Sequence, residues 1–153
     1  MRVTMLISAF TLAGCGAPVS LGEAPAPGAA PTGAQQAYFA QFPAGLFGAA
    51  AAFCVQPGQS VMRPRPDEVR CESLPDPQTA AAIILEFNGT VEELPTFVIA
   101  FLGRDTSSGY LVTADNYIRV PQRSGGTRQI RFEDARVAQD LEKLHEAAGG
   151  RPL

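Results

Sequence analysis

Residues 96–132, TFVIAFLGRDTSSGYLVTADNYIRVPQRSGGTRQIRF, decide the fold. Thr96–Leu102 (TFVIAFL) and Gly109–Thr113 (GYLVT) are rich in β-branched and aromatic residues, and the polar stretch GRDTSS between them has the composition of a hairpin turn. Asn116–Pro121 (NYIRVP) and Thr127–Phe132 (TRQIRF) repeat the arrangement across QRSGG. Four short strands joined by tight connections predict an antiparallel meander.

Working outward toward the C-terminus, Glu133–Ala148 sets Val137, Leu141, Leu144 and Ala148 at helical spacing with charged residues between them. Gly149-Gly150 stops that helix, and Pro152 discourages its resumption. On the N-terminal side, Thr79–Phe87 (TAAAIILEF) is apolar on both alternating faces and reads as a buried central strand bounded by Asn88-Gly89. A helix capped by Asp76, with Pro77 in its first turn, competes for the same residues. Gln35–Val55 is Ala-rich and suits helix more than strand. Pro43 divides it into one piece ending near Gln41 and another starting at Pro43, since proline fits a helix's first turn and not its interior. The expected fold is α+β: an antiparallel sheet of about four to five strands, with N-terminal and C-terminal helices packed on one face.

The chain has 153 residues, 46% apolar and 18% charged, which fits a single folded domain with a core, placed here at residues 35–150. With 12 basic and 15 acidic residues the formal charge is −3. That argues against a nucleic-acid partner, which requires a basic stripe.

The N-terminus begins MRVTMLISAFTLAGCG: one positive charge at Arg2, an apolar run from Val3 to Ala13, then small residues. It reads as a secretory signal, too short for the roughly 20 apolar residues of a membrane-spanning helix. Leu12-Ala13-Gly14-Cys15 resembles the lipobox of bacterial lipoproteins, in which the signal (residues 1–14) is cut before the cysteine and lipid is attached to it. The resemblance implies lipidation of Cys15 and anchorage in an envelope membrane. Gly16 in place of Asp favours the outer membrane, facing the periplasm. Gly16–Ala34 holds almost no large apolar residue and many Pro, Gly and Ala, too little to offset the entropy of ordering, so residues 15–34 read as a lipidated cysteine and disordered tether spanning about 22 to 26 Å.

Export places the remaining cysteines, Cys54 and Cys71, where disulfides persist, and they are expected to pair. Closing that loop contributes about 3 kcal/mol in the chain-entropy model. Its interior, VQPGQSVMRPRPDEVR, with three prolines and three arginines, is expected to be irregular. The spacing is not CxxC, so a redox or metal role for the pair is not indicated.

Motifs for chemistry are sparse. Asp105-Thr106-Ser107 resembles the Asp-Thr-Gly loop of aspartic proteases, but serine replaces the glycine and there is no second copy; a polar hairpin tip accounts for the same residues. Gly45–Phe53 (GLFGAAAAF) resembles the start of a viral fusion peptide, but Gly45 is internal, and an Ala-rich helix under a sheet explains the run. His145 is the sole histidine, near a helix C-terminus where a cation suits the dipole, and Lys143 is the sole lysine, with no SxxK motif. Glu92-Glu93 reads as a solvated turn. No sequence pattern indicates a metal or cofactor.

Three functions follow as expectations. The first is a noncatalytic envelope accessory or interaction module meeting another envelope protein through the sheet's edge and loops, with Tyr110, Tyr117, Arg119, Arg123 and Arg128 as the candidate surface. The second is a small-ligand or lipid-binding domain, which requires an apolar pocket between sheet and helices. The third is a hydrolase with an unusual site, which requires Asp105, His145 or Glu92 to converge in a cleft.

Overall fold

The computed structural model describes residues 30–153. The expected leader, Cys15 and the expected tether as far as residue 29 lie outside the described residues. In chain order the elements are β1 (Gln35–Phe39), α1 (Ala44–Phe53), β2 (Gln59–Arg65), β3 (Glu68–Ser73), α2 (Pro77–Glu86), β4 (Thr96–Thr106), β5 (Gly109–Pro121), β6 (Thr127–Ile130), α3 (Ala135–Ala147) and β7 (Arg151–Pro152). The domain is α+β, with three helices and one open antiparallel sheet of seven strands ordered β2-β3-β4-β5-β1-β7, β6 pairing the second half of β5.

The meander is present with one change. Gly109–Thr113 and Asn116–Pro121 are a single 13-residue strand that runs straight through Ala114 and Asp115. It pairs with β4 without interruption from Thr96↔Arg119 to Thr106↔Gly109. Its first half also takes β1, and its second half takes β6.

Four other expectations are corrected. Gln35–Phe39 is a strand and not the first helical piece; Ala37 and Phe39 alternate inward against β5, and that half-buried pleat outweighs the Ala-rich context. The second piece is α1. The Cys54–Cys71 interior is not irregular but contains the β2–β3 hairpin. Pro64 sits within β2, which is an edge strand and so tolerates a missing N–H. Residues 77–86 form a helix and not a strand: Asp76 accepts from the Gln78 and Thr79 amides and Pro77 opens the first turn, so the capping signal outweighs the uniform apolarity. Finally, Arg151–Pro152 pairs with Ala37 and Tyr38, carrying the sheet past residue 150. This return depends on Gly150, where a Cβ would stand 2.5 Å from Phe39 Cζ and 2.9 Å from the His145 carbonyl oxygen.

Side chains directly opposite in an antiparallel ladder share a face. The register therefore puts Ala37, Val69, Phe101, Val112 and Ala114 on one face of the sheet. Leu46, Phe47 and Ala50 of α1 and Leu141 of α3 join them in the main core cluster. Ile118 and Val120, farther along the same face of β5, pack against Ile83 of α2. All three helices thus lie against one face, but α1 and α3 cover one end and α2 the other.

Candidate functional site

Between the two helical patches the sheet is incompletely covered. Phe97 and Ile99, on the helix-bearing face of β4, remain 38% and 41% exposed in the middle of the sheet. Each helical patch carries a hollow. One, about 210 Å³, lies between α1, α3 and the sheet and is lined by Ala50, Phe53, Val69, Cys71, Ile99, Phe101, Leu141 and Leu144, with Gln59 at its margin. The other, about 540 Å³, lies against α2.

The larger hollow is built from three segments. Leu74 and Pro75 lead from β3 toward the helix. Pro77, Ala80, Ala81, Ile84 and Leu85 come from α2, and Val91 and Leu94 from the connection to β4. Ala81 and Leu85 are one helical turn apart on the outer face of α2, so a small residue beside larger ones leaves a depression. Leu74, Leu85, Val91 and Leu94 are all exposed. Nine apolar residues and one cation, Arg123, form the lining.

Arg123 is held in place by the turn that ends α2. Its backbone N–H donates to the Asn88 carbonyl at 3.4 Å, and its Nε donates to the Gly89 carbonyl at 3.0 Å. Asn88 takes φ 56°, which lets the chain reverse out of the helix. Gly89 then passes so close to the helix that a Cβ would meet the Ile84 Cα at 3.2 Å and Val120 Cγ1 at 3.1 Å. Among the described residues Arg123 forms no ion pair.

The five surface residues expected from the sequence do not gather into one patch. Tyr117 and Arg119 lie on the helix-free face of the sheet. Tyr117 is buried with Val98 and Ala100, and that burial pushes its phenol above the usual range. Arg119 pairs with Glu72 at 2.9 Å. Tyr110 and Arg128 belong to the opposite face: Tyr110 sits edge-on to Phe42, and the Arg128 guanidinium lies over the Phe87 ring. Only Arg123 reaches a hollow. The sequence offered no sign of this, because the contact depends on the helical turn at Asn88.

The residues considered for hydrolysis are also apart. Glu92, hydrogen-bonded with the Thr90 hydroxyl, precedes β4, whereas Asp105 lies near its far end, about 30 Å along the strand from Thr96. Asp105 pairs with Tyr110 beside the hairpin tip. His145 is fully buried, edge-on to Phe39 and Phe101, and neither ring nitrogen has a hydrogen-bond partner. Burial lowers its pKa, so it is a neutral core residue and not the cation expected at a helix end.

Cys54 and Cys71 stand at disulfide geometry, with S–S 2.05 Å and Cα–Cα 5.5 Å. The link ties the end of α1 to the middle of β3, alongside the smaller hollow. Among the described residues no cluster of three metal-ligating side chains occurs, and no helix is long and apolar enough to cross a membrane.

No family model, curated protein or solved structure matches the chain. The functional reading therefore rests on the residues themselves.

Proposed function

We propose that this chain is a lipid-anchored protein of a bacterial envelope whose domain acts by binding an apolar small molecule or lipid, without catalysis. The observation that carries the binding part is the hollow of about 540 Å³ beside α2, with its nearly all-apolar lining. That volume falls within the usual range for small-molecule sites, and such sites are mostly apolar with a few placed polar groups. Exposed Leu74, Leu85, Val91 and Leu94 would gain roughly 25 cal/mol for each Å² an apolar ligand removes from water.

The lipobox-like Leu12-Ala13-Gly14-Cys15 supports the anchor. Lipid on Cys15 would hold the domain beside the membrane through the Pro-, Gly- and Ala-rich Gly16–Ala34 segment, with the periplasmic side of the outer membrane favoured by Gly16. Cys54 and Cys71 would oxidise there after export.

The experiment is a titration of the mature protein with a neutral fluorescent apolar probe, for wild type and Ala81→Trp. Saturable binding at one site, weakened by the tryptophan with little change in melting temperature, is the expected outcome. Absence of saturable binding to the wild type contradicts the proposal.

A second reading is favoured by Phe53, Phe97 and Ile99, an exposed apolar strip beside the smaller hollow. Such a strip suits docking of an apolar segment of another envelope protein. Crosslinking in the native envelope, with Cys15→Ser as control, tests it; loss of a specific crosslink on Ile99→Asp is expected, and an unchanged crosslink pattern contradicts it.

A further inference from the structure

The hollow beside α2 has one polar component, and its chemistry narrows the ligand. We propose that the site takes a long-chain anionic amphiphile, its hydrocarbon lying along α2 and its anionic head on the Arg123 guanidinium. This rests on the reading of the hollow as a ligand site.

Charge and geometry carry the inference. Arg123 is exposed and lines the hollow, and its Nε donates to the Gly89 carbonyl, which orients the guanidinium beside the apolar wall. The two terminal nitrogens keep donors for an incoming oxyanion, and a planar fork suits a carboxylate or phosphate. No ion pair engages Arg123 among the described residues, and it is the one arginine in the lining of this hollow. The adjacent Glu92 is hydrogen-bonded with Thr90 in its own turn. Apolar walls on Ile84, Leu85, Val91 and Leu94 would exclude water once a chain is seated, and a charge-assisted hydrogen bond is stronger where water is scarce.

A cation near the end of α2 also suits the helix dipole. A capping role alone predicts that ligand charge has no effect on binding, so headgroup dependence separates the two roles.

The test compares oleate, below its aggregation concentration, with oleyl alcohol and with inorganic phosphate, using the mature protein. Oleate is expected to bind about tenfold more tightly than the alcohol, the equivalent of one hydrogen bond to a charged group. Inorganic phosphate alone is expected not to compete. Arg123→Gln should remove the advantage of oleate, bringing its affinity down to that of oleyl alcohol for the same variant. Leu85 is 76% exposed, so Leu85→Asp should keep the fold and weaken oleate more than the alcohol. Equal affinity for oleate and alcohol in the wild type, or unchanged oleate binding in both variants, overturns the assignment of the headgroup while leaving the apolar site standing. Competition by inorganic phosphate at the same concentration as oleate assigns a free-anion site and overturns the amphiphile. Failure of oleate and alcohol alike to bind overturns both readings.

Discussion

Arg131 closes over Tyr117, its guanidinium carbon 5.3 Å from the ring centroid, and its Nη2 donates to Asp115 at 2.7 Å. The helix-free face of the sheet is therefore covered by its own ionic side chains. Glu68 meets Arg70, Glu72 meets Arg119 and Asp115 meets Arg131, over a floor of Val98, Ala100 and Tyr117. The Asp115 side chain is only 11% exposed, so Arg131→Ala leaves a carboxylate short of both partner and water. A loss of about 3 kcal/mol is expected, the low end for breaking a buried pair because Arg131 is itself partly exposed. Urea unfolding of wild type and variant measures it, and a change below about 0.5 kcal/mol, the usual scale of an exposed pair, contradicts this role.

The Cys54–Cys71 link closes a loop of sequence separation 17 between α1 and the sheet. Replacing both cysteines by serine is expected to cost about 3 kcal/mol. Urea midpoints of the oxidised wild type and the double variant provide the comparison. Identical midpoints would mean that the link adds nothing to the fold.

Stability should fall on mild acidification because of His145. Its folded pKa is lowered by burial, so above the unfolded value of about 6.5 the ring is neutral in both states. Below that value the unfolded chain takes a proton that the folded chain refuses. Stability is thus lost as pH falls from about 6.5 toward the folded pKa, and this contribution levels off below it. His145→Leu should remove that component of the slope and be no less stable at neutral pH, because two buried nitrogens without partners disappear. Thermal melts across the weakly acidic range test this; an unchanged slope in the variant would assign the dependence to other groups.

Gly150→Ala tests the return of the chain to β1. The new methyl would clash with the Phe39 ring and the His145 carbonyl, and overpacking of this kind costs about 2 kcal/mol. A melting temperature equal to that of the wild type contradicts the contact.

The β4–β5–β6 meander was legible in the sequence, the other four of the seven strands were not, and the failures have physical causes. The β4–β5 hairpin and α3 were marked by β-rich runs and by helical spacing. Asp115 concealed the continuity of β5: a buried acid looks like a turn residue until Arg131, supplied from beyond β6, neutralises it. Leu85 concealed α2. Ala80, Ile83 and Ile84 face inward at helical spacing, but Leu85 is exposed, so the segment looked apolar all round. The residue that spoiled the helical pattern is one that lines the larger hollow. β1 was obscured by its Ala-rich surroundings, and β2 by Pro64, which an edge strand tolerates. Of the candidate surface, Arg123 alone was named from the sequence and lies at the larger hollow, because strand periodicity does not say which face a helix will cover.

The central claim, a disulfide-closed binding domain held at a membrane through Cys15, is most directly tested by the intact mass of the protein recovered from bacterial membranes. The account predicts a chain beginning at Cys15 with acyl chains attached and two hydrogens fewer than the dithiol form. An unacylated chain in the soluble fraction would contradict it.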